Sequence, residues 1–303
     1  SLGLPIGLTL SGANAWLAGS ESGMYTLGSS GPSRLDASLR APWDGRTTAR
    51  RDAFNRLLDA AQRDGSAFVR EHGRTNRRAI DFSESVFAAI NGAPAINTSF
   101  PTDASGRVTR FGETLRTVAR TIAARGALGQ RRQVFFVGIG GWDTHDGQPT
   151  THPNLLAQVS QGLAAFYNAT VELGIAQDVT TFTMTDFGRT LNNNGDGTDH
   201  GWGGHSWIVG GDVVGRRIFG SMPDYALGSA LDVGRGRMIP TTPVEQIGST
   251  LSRWFGLGLG DVNEIFPNIR NFGTGADYLP MLASTDALVN EVKFERRSGG
   301  RKG

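Results

Sequence analysis

Asp143 and His145 stand two residues apart in Gly140-Gly141-Trp142-Asp143-Thr144-His145, so an extended loop turns a carboxylate and an imidazole to the same side. Further along, Thr185-Asp186-Phe187-Gly188-Arg189 offers another carboxylate. Gly197-Thr198-Asp199-His200-Gly201-Trp202-Gly203-Gly204-His205 then adds a third carboxylate and two imidazoles. Four of the five histidines fall between positions 145 and 205. Cysteine is absent, which excludes thiolate metal sites, disulfides and a cysteine nucleophile together. The remaining donor mix of oxygen and nitrogen suits one or two divalent cations, with zinc, manganese, iron, calcium and magnesium not distinguished by residue type. The candidate ligands are Asp143, His145, Asp186, Asp199, His200 and His205. His152, beside Pro153 at a helix start, and His72, in a charged helical end, read as surface or capping residues.

Other chemistries fit poorly. Asn192-Asn193-Asn194-Gly195-Asp196-Gly197 begins like a calcium loop, but Gly203 stands where a bidentate Glu is needed, so a turn is the better reading. Gly138-Ile139-Gly140-Gly141 lacks the Lys and the helix start of a phosphate cradle. No G-x-S-x-G elbow is present. With 30 basic against 28 acidic residues, the formal charge of +2 gives nucleic acid no special claim as a partner. No apolar run is long enough to span a membrane, and Ser1-Leu2-Gly3-Leu4-Pro5 lacks the basic region of a signal peptide.

The elements that must position these loops can be read from periodicity. Residues 1–50, rich in Gly, Ser and Pro, read as an irregular covering segment with a short strand at Ile6 to Leu10. Apolar residues at helical spacing follow, from Phe54 to Val69, from Ile80 to Ile90 and from Phe111 to Leu128. Val134 to Val137 reads as a strand buried on both faces, Leu155 to Leu173 as a crossover helix and Val179 to Met184 as the next strand. Together they predict a β-α-β unit whose two strand ends open on one edge. A strand at Ser206 to Val209 and a helix from Val244 to Phe255 after Pro243 complete the pattern. Residues 295–303 read as a basic, disordered tail.

The motifs GGWDTH, VTTFTMTDFGRT, GTDHGWGGHSWIVGG and GRGRMIPTTPVEQIGSTLSRWFG resemble those of the bacterial domain-of-unknown-function family 1501, best from Val134 to Phe272. That family is similar in its core to alkaline phosphatases and sulfatases. The resemblance implies an α/β, alkaline-phosphatase-like three-layer sandwich with a mostly parallel central sheet and helices on both faces, as one domain over 1–303. It implies a periplasmic or extracellular protein that hydrolyses sulfate or phosphate esters of a small molecule or polysaccharide. Carried over, Asp143, His145 and His200 would form one metal site, and Asp186 would belong to a second, with Asp199 or His205 compensating for Phe187, which stands where those enzymes commonly have His. Arg189 would contact the anion. The superfamily's first strand, with its nucleophile, has no counterpart here, so a preceding segment of the same precursor is expected. The competing expectation is a non-catalytic surface or assembly protein that keeps the metal loops as staples. A third is a polysaccharide-binding protein.

Overall fold

Leu8 is fully buried at the centre of β1 (Gly7–Thr9), all three residues of which are buried. This strand pairs in parallel with β2 (Met24–Thr26) on one side and β3 (Val134–Phe136) on the other, opposing Leu8 to Tyr25 and to Phe135. The computed structural model describes residues 4–19, 23–35, 46–272 and 279–284. The chain divides into two compact units, Ser1–Gly140 with Ala164–Leu173, and Gly141–Leu163 with Gly174–Gly303.

In the first unit, α1 (Thr47–Ala61) and α2 (Ala67–Asn91) form a helical hairpin. A Cβ on Gly73 would stand 2.9 Å from the Ala61 Cβ, so the residue must be glycine for the two backbones to approach this closely. The sequence pattern suggested one helix from Phe54 to Val69; the chain breaks instead between Ala61 and Ala67, at Asp64-Gly65-Ser66. Next comes α3 (Arg110–Ala123), which starts where the Thr109 hydroxyl accepts from the Gly112 N–H at 3.1 Å. It buries Leu115, Val118, Ala119 and Ile122 at helical spacing, each worth roughly 1.5–3 kcal/mol for a large aliphatic side chain. The short α4 (Arg125–Leu128) ends at Gly129, whose φ of 70° is a left-handed stop.

The second unit holds two antiparallel pairs. β4 (Thr180–Phe182) pairs with β7 (Ile208–Gly210), and β5 (Gly188–Asn193) pairs with β6 (Thr198–Gly201) across a turn at Asn194 to Gly197. α6 (Val244–Phe255) begins after Pro243 and ends at Gly256, φ 106°, followed by α7 (Leu259–Ile265). Leu279, Met281 and Leu282 are buried against Ile208, Leu251 and Trp254.

Between β3 and β4 runs α5 (Gln148–Glu172), which carries Pro153 inside it. It begins seven residues before the periodic pattern at Leu155, because its start is capped from outside. Asp196 accepts the Gly147 N–H through Oδ2 at 3.0 Å and the Gln148 N–H through its carbonyl, also at 3.0 Å.

The fold class is mixed α/β, with a small parallel sheet and seven helices among the described residues. The expected β-α-β pairing of the strands near 134 and 180 is not what forms. β3 pairs with β1, whereas β4 pairs antiparallel with β7. Glycine sets that second pairing, since a Cβ on Gly210 would stand 2.6 Å from the Val179 carbonyl oxygen, a separation only a residue without a side chain permits. Nor is β3 buried on both faces, for Val134 is exposed and the two phenylalanines are half-buried. The tail at 295–303 lies outside the described residues. No helix of the described residues is long and apolar enough to cross a membrane.

Candidate metal centre

The loop after Gly141 and the β5–β6 hairpin are held together by backbone. At Gly197 a Cβ would meet the carbonyl carbon and oxygen of His145 at 2.3 Å, so the hairpin turn lies directly on the ligand loop. Gly188 and Gly203 approach each other as closely, with a Cβ on Gly188 falling against the Gly203 carbonyl oxygen at 2.0 Å. Gly197 lets two segments distant in the chain share one surface, while Gly188 and Gly203 close the base of the hairpin.

Across that contact Asp143 and His200 meet, with His200 Nε2 donating to Asp143 Oδ1 at 2.7 Å. The same oxygen stands 3.0 Å from His145 Nε2. Ligand atoms of Asp143, His145 and His200 all lie within 4.8 Å of one another, and all three side chains are solvent-exposed. A cation bonded to nitrogen or oxygen at roughly 2.0–2.2 Å sets neighbouring donors about 3.0–3.5 Å apart. The 2.7 and 3.0 Å separations from Asp143 Oδ1 are near that spacing, and the three residues could hold a cation. Two imidazoles and one carboxylate, with the open side facing solvent, leave coordination positions for water or a substrate oxygen.

A second layer fixes these donors. His145 Nδ1 faces Asp199 Oδ1 at 3.5 Å, on the far side of the ring from Asp143. Asp199 is in turn held by Asn194 Nδ2 at 3.1 Å and by Arg235 Nη1 at 2.8 Å. The ring of His200 is covered by Phe187, stacked at 3.9 Å between centroids and 9° between planes, and the guanidinium carbon of Arg189 lies 5.1 Å from the centre of the Phe187 ring. Arg189 also donates to the Trp142 carbonyl, and to the Thr198 carbonyl at 2.6 Å, so it clamps the two ligand-bearing segments. It stands 3.7 Å from Asp143 Oδ1.

The electrostatics follow from these contacts. The hydrogen bond from His200 is the main reason the Asp143 carboxyl lies below its ordinary range; His145 and Arg189 add to it against partial desolvation. Asp199 is lowered as well, first by the hydrogen bond from Asn194 and then by the charge of Arg235. Both carboxylates are thus anionic at neutral pH, as a cation site requires.

Of the six ligands read from sequence, Asp143, His145 and His200 converge. Asp199 lies behind His145, where it orients that ring. Asp186 is exposed and outside the group, and His205 points elsewhere, with Nε2 3.0 Å from the Tyr225 hydroxyl. His152 packs edge-on against Trp142, and exposed His72 pairs with Asn76. Sequence reading missed Arg235. Its only signal was the Gly234-Arg235-Gly236 flank inside a motif that carried no assigned chemistry.

Comparison with known proteins gives a family and no activity. No curated protein and no solved structure matches the chain. The profile of a family described as a protein of unknown function, DUF1501, matches residues 5–258. The chain belongs to the DUF1501 family.

Proposed function

We propose that this protein is a metal-dependent hydrolase of sulfate or phosphate esters. The observation that carries the reading is the convergence of Asp143, His145 and His200 on one exposed point, from segments far apart in the chain. A bound divalent cation would activate a water or hydroxyl and polarise an ester oxygen. Asp143 would supply the anionic ligand, and His145 and His200 the neutral ones. Phe187 and Asp199 would fix the two rings, and Arg189 would hold the ligand loops in register. A single ion accords with the position of Asp186 outside the group. Membership of the DUF1501 family, which resembles alkaline phosphatases and sulfatases in its core, supports descent from that superfamily, with its three-layer sandwich. It also supports export to the periplasm or beyond, and a small-molecule or polysaccharide ester as substrate.

One observation favours a second reading, a non-catalytic protein in which the cation is a staple. Phe187 fills the face of His200, in the motif position where the related enzymes commonly carry a further His. One experiment separates the two. The full-length protein, loaded with zinc or manganese, is assayed on aryl sulfate and aryl phosphate esters, with His145→Ala as control. Turnover that depends on the metal and disappears in the variant supports the hydrolase. Tight metal binding without turnover supports the staple, and absence of metal binding removes both.

A further inference from the structure

Arg235 has a left-handed backbone, φ 61°, between Gly234 at φ 107° and Gly236 at φ 74°. For an arginine this conformation is unfavourable, because its Cβ crowds the following carbonyl. Such strain persists only where surrounding structure imposes it, and here that structure is visible. Asp232 accepts the N–H groups of Gly234 at 2.8 Å and Gly236 at 2.9 Å through one oxygen, and that of Gly228 at 2.9 Å through the other. Val233 and Arg237 close the hairpin, Val233 N–H to Arg237 carbonyl at 3.1 Å. The turn is then fastened to β5, with Leu191 N–H donating to the Gly236 carbonyl at 3.1 Å and Asn192 N–H to the Arg235 carbonyl at 3.3 Å. Gly236 sits so close to Leu191 that a Cβ would fall 2.5 Å from the leucine's own.

All of this machinery delivers one guanidinium to one carboxylate, Arg235 Nη1 to Asp199 Oδ2 at 2.8 Å. The other oxygen of Asp199 faces His145 Nδ1, and His145 Nε2 faces the ligand cluster. A carboxylate at the far nitrogen of a metal-binding imidazole fixes the ring's tautomer and aim. From this chain of contacts we infer that Arg235 is a positioning residue for the metal centre. It acts through Asp199 on His145, and the strained Gly-Arg-Gly turn exists to hold it there. Arg235 holds Asp199 in place, and Asp199 in turn holds the His145 ring so that its Nε2 faces Asp143 and the ligand cluster. This inference rests on the metal-site reading above, but it concerns an orientation that is present without metal.

The turn supplies its own test, because glycine at 235 relieves the strain while removing the guanidinium. Arg235→Gly is expected to keep or raise the Tm of the metal-free protein, by up to about 2 °C, while weakening zinc affinity by about 10–100-fold in calorimetric titration. Arg235→Lys, which preserves the charge, should recover part of that loss. A residue that merely stabilised the turn would show the reverse, a lower Tm with zinc affinity unchanged. Zinc affinity of Arg235→Gly within twofold of wild type overturns the proposal. If the wild-type protein itself binds no zinc, the metal reading fails, and the inference is decided by nitrogen NMR of the His145 imidazole. Imidazole resonances that shift or broaden in Arg235→Gly, as a ring released from its fixed orientation would, support it, and an unchanged imidazole spectrum overturns it.

Discussion

Phe187 lies flat on the imidazole of His200, 3.9 Å between ring centroids and 9° from parallel, while His200 points its Nε2 at Asp143. The stack fixes the plane of the ring and with it the direction in which that nitrogen points. An aromatic pair of this kind is worth about 0.5–1.5 kcal/mol beyond its buried area. Phe187→Ala should therefore weaken zinc affinity by up to about tenfold with the secondary structure intact. Calorimetric titration beside circular dichroism measures both, and an unchanged affinity would show that His200 is held by its other contacts.

Arg189 bridges the Trp142 and Thr198 carbonyls with a planar fork that lysine cannot reproduce. Arg189→Lys is expected to cost about 1–3 kcal/mol and to loosen the approach of His200 to Asp143. Urea denaturation gives the first effect. For the second, metal affinity should fall in the same variant, and a loss of anion binding with stability intact would instead mark the side chain as a substrate contact.

Gly197→Ala would put a methyl carbon 2.3 Å from the His145 carbonyl. The hairpin turn would then have to lift off the ligand loop, at about 1–3 kcal/mol. Zinc binding should be lost or weakened at least as much as by Phe187→Ala. Equal thermal stability and equal affinity in the alanine variant would mean that the two segments are not pressed together as described.

Glu172, at the end of α5, accepts from the backbone and side chains of Asn97 and Thr98, at 2.6–3.0 Å. The Thr98 hydroxyl and the Asn97 N–H lead in pulling its carboxyl below the ordinary glutamate range. A carboxyl whose folded pKa is depressed stabilises the fold fully above its unfolded pKa, and that contribution is lost as pH falls through the folded value. The protection of the Asn97 and Thr98 amides, measured against their intrinsic exchange rates, should accordingly fall in acid, below the ordinary glutamate range. In Glu172→Gln that protection should be lower at neutral pH and change little across the same window. An identical pH response in the two proteins would contradict this.

Much of the site was legible because its parts are local. Asp143 and His145 read as a pair from their spacing, and the density of imidazoles near position 200 drew attention to the right hairpin. What could not be read was pairing at a distance. The side chain of Arg235 reaches Asp199 only because a hairpin tip lies along β5, and no periodicity records that. Asp186, whose place at a strand end suggested a ligand, stands outside the cluster of Asp143, His145 and His200. In the fold, helices were found where apolar residues recur at helical spacing, as in α3 and α6. The three-residue β2 is too short to carry a pattern, and the partners of β3 and β4 depend on close approaches at glycines such as Gly210, far along the chain.

Asp143 and His200 are 57 residues apart in sequence. Joining them through a common ion ties off a loop of that length, and a cross-link of such span removes roughly 4 kcal/mol of freedom from the unfolded chain. In a protein with no cysteine, that knot would be made without sulfur chemistry. It would hold equally in oxidising and reducing surroundings, and it would come undone by chelation or acid instead.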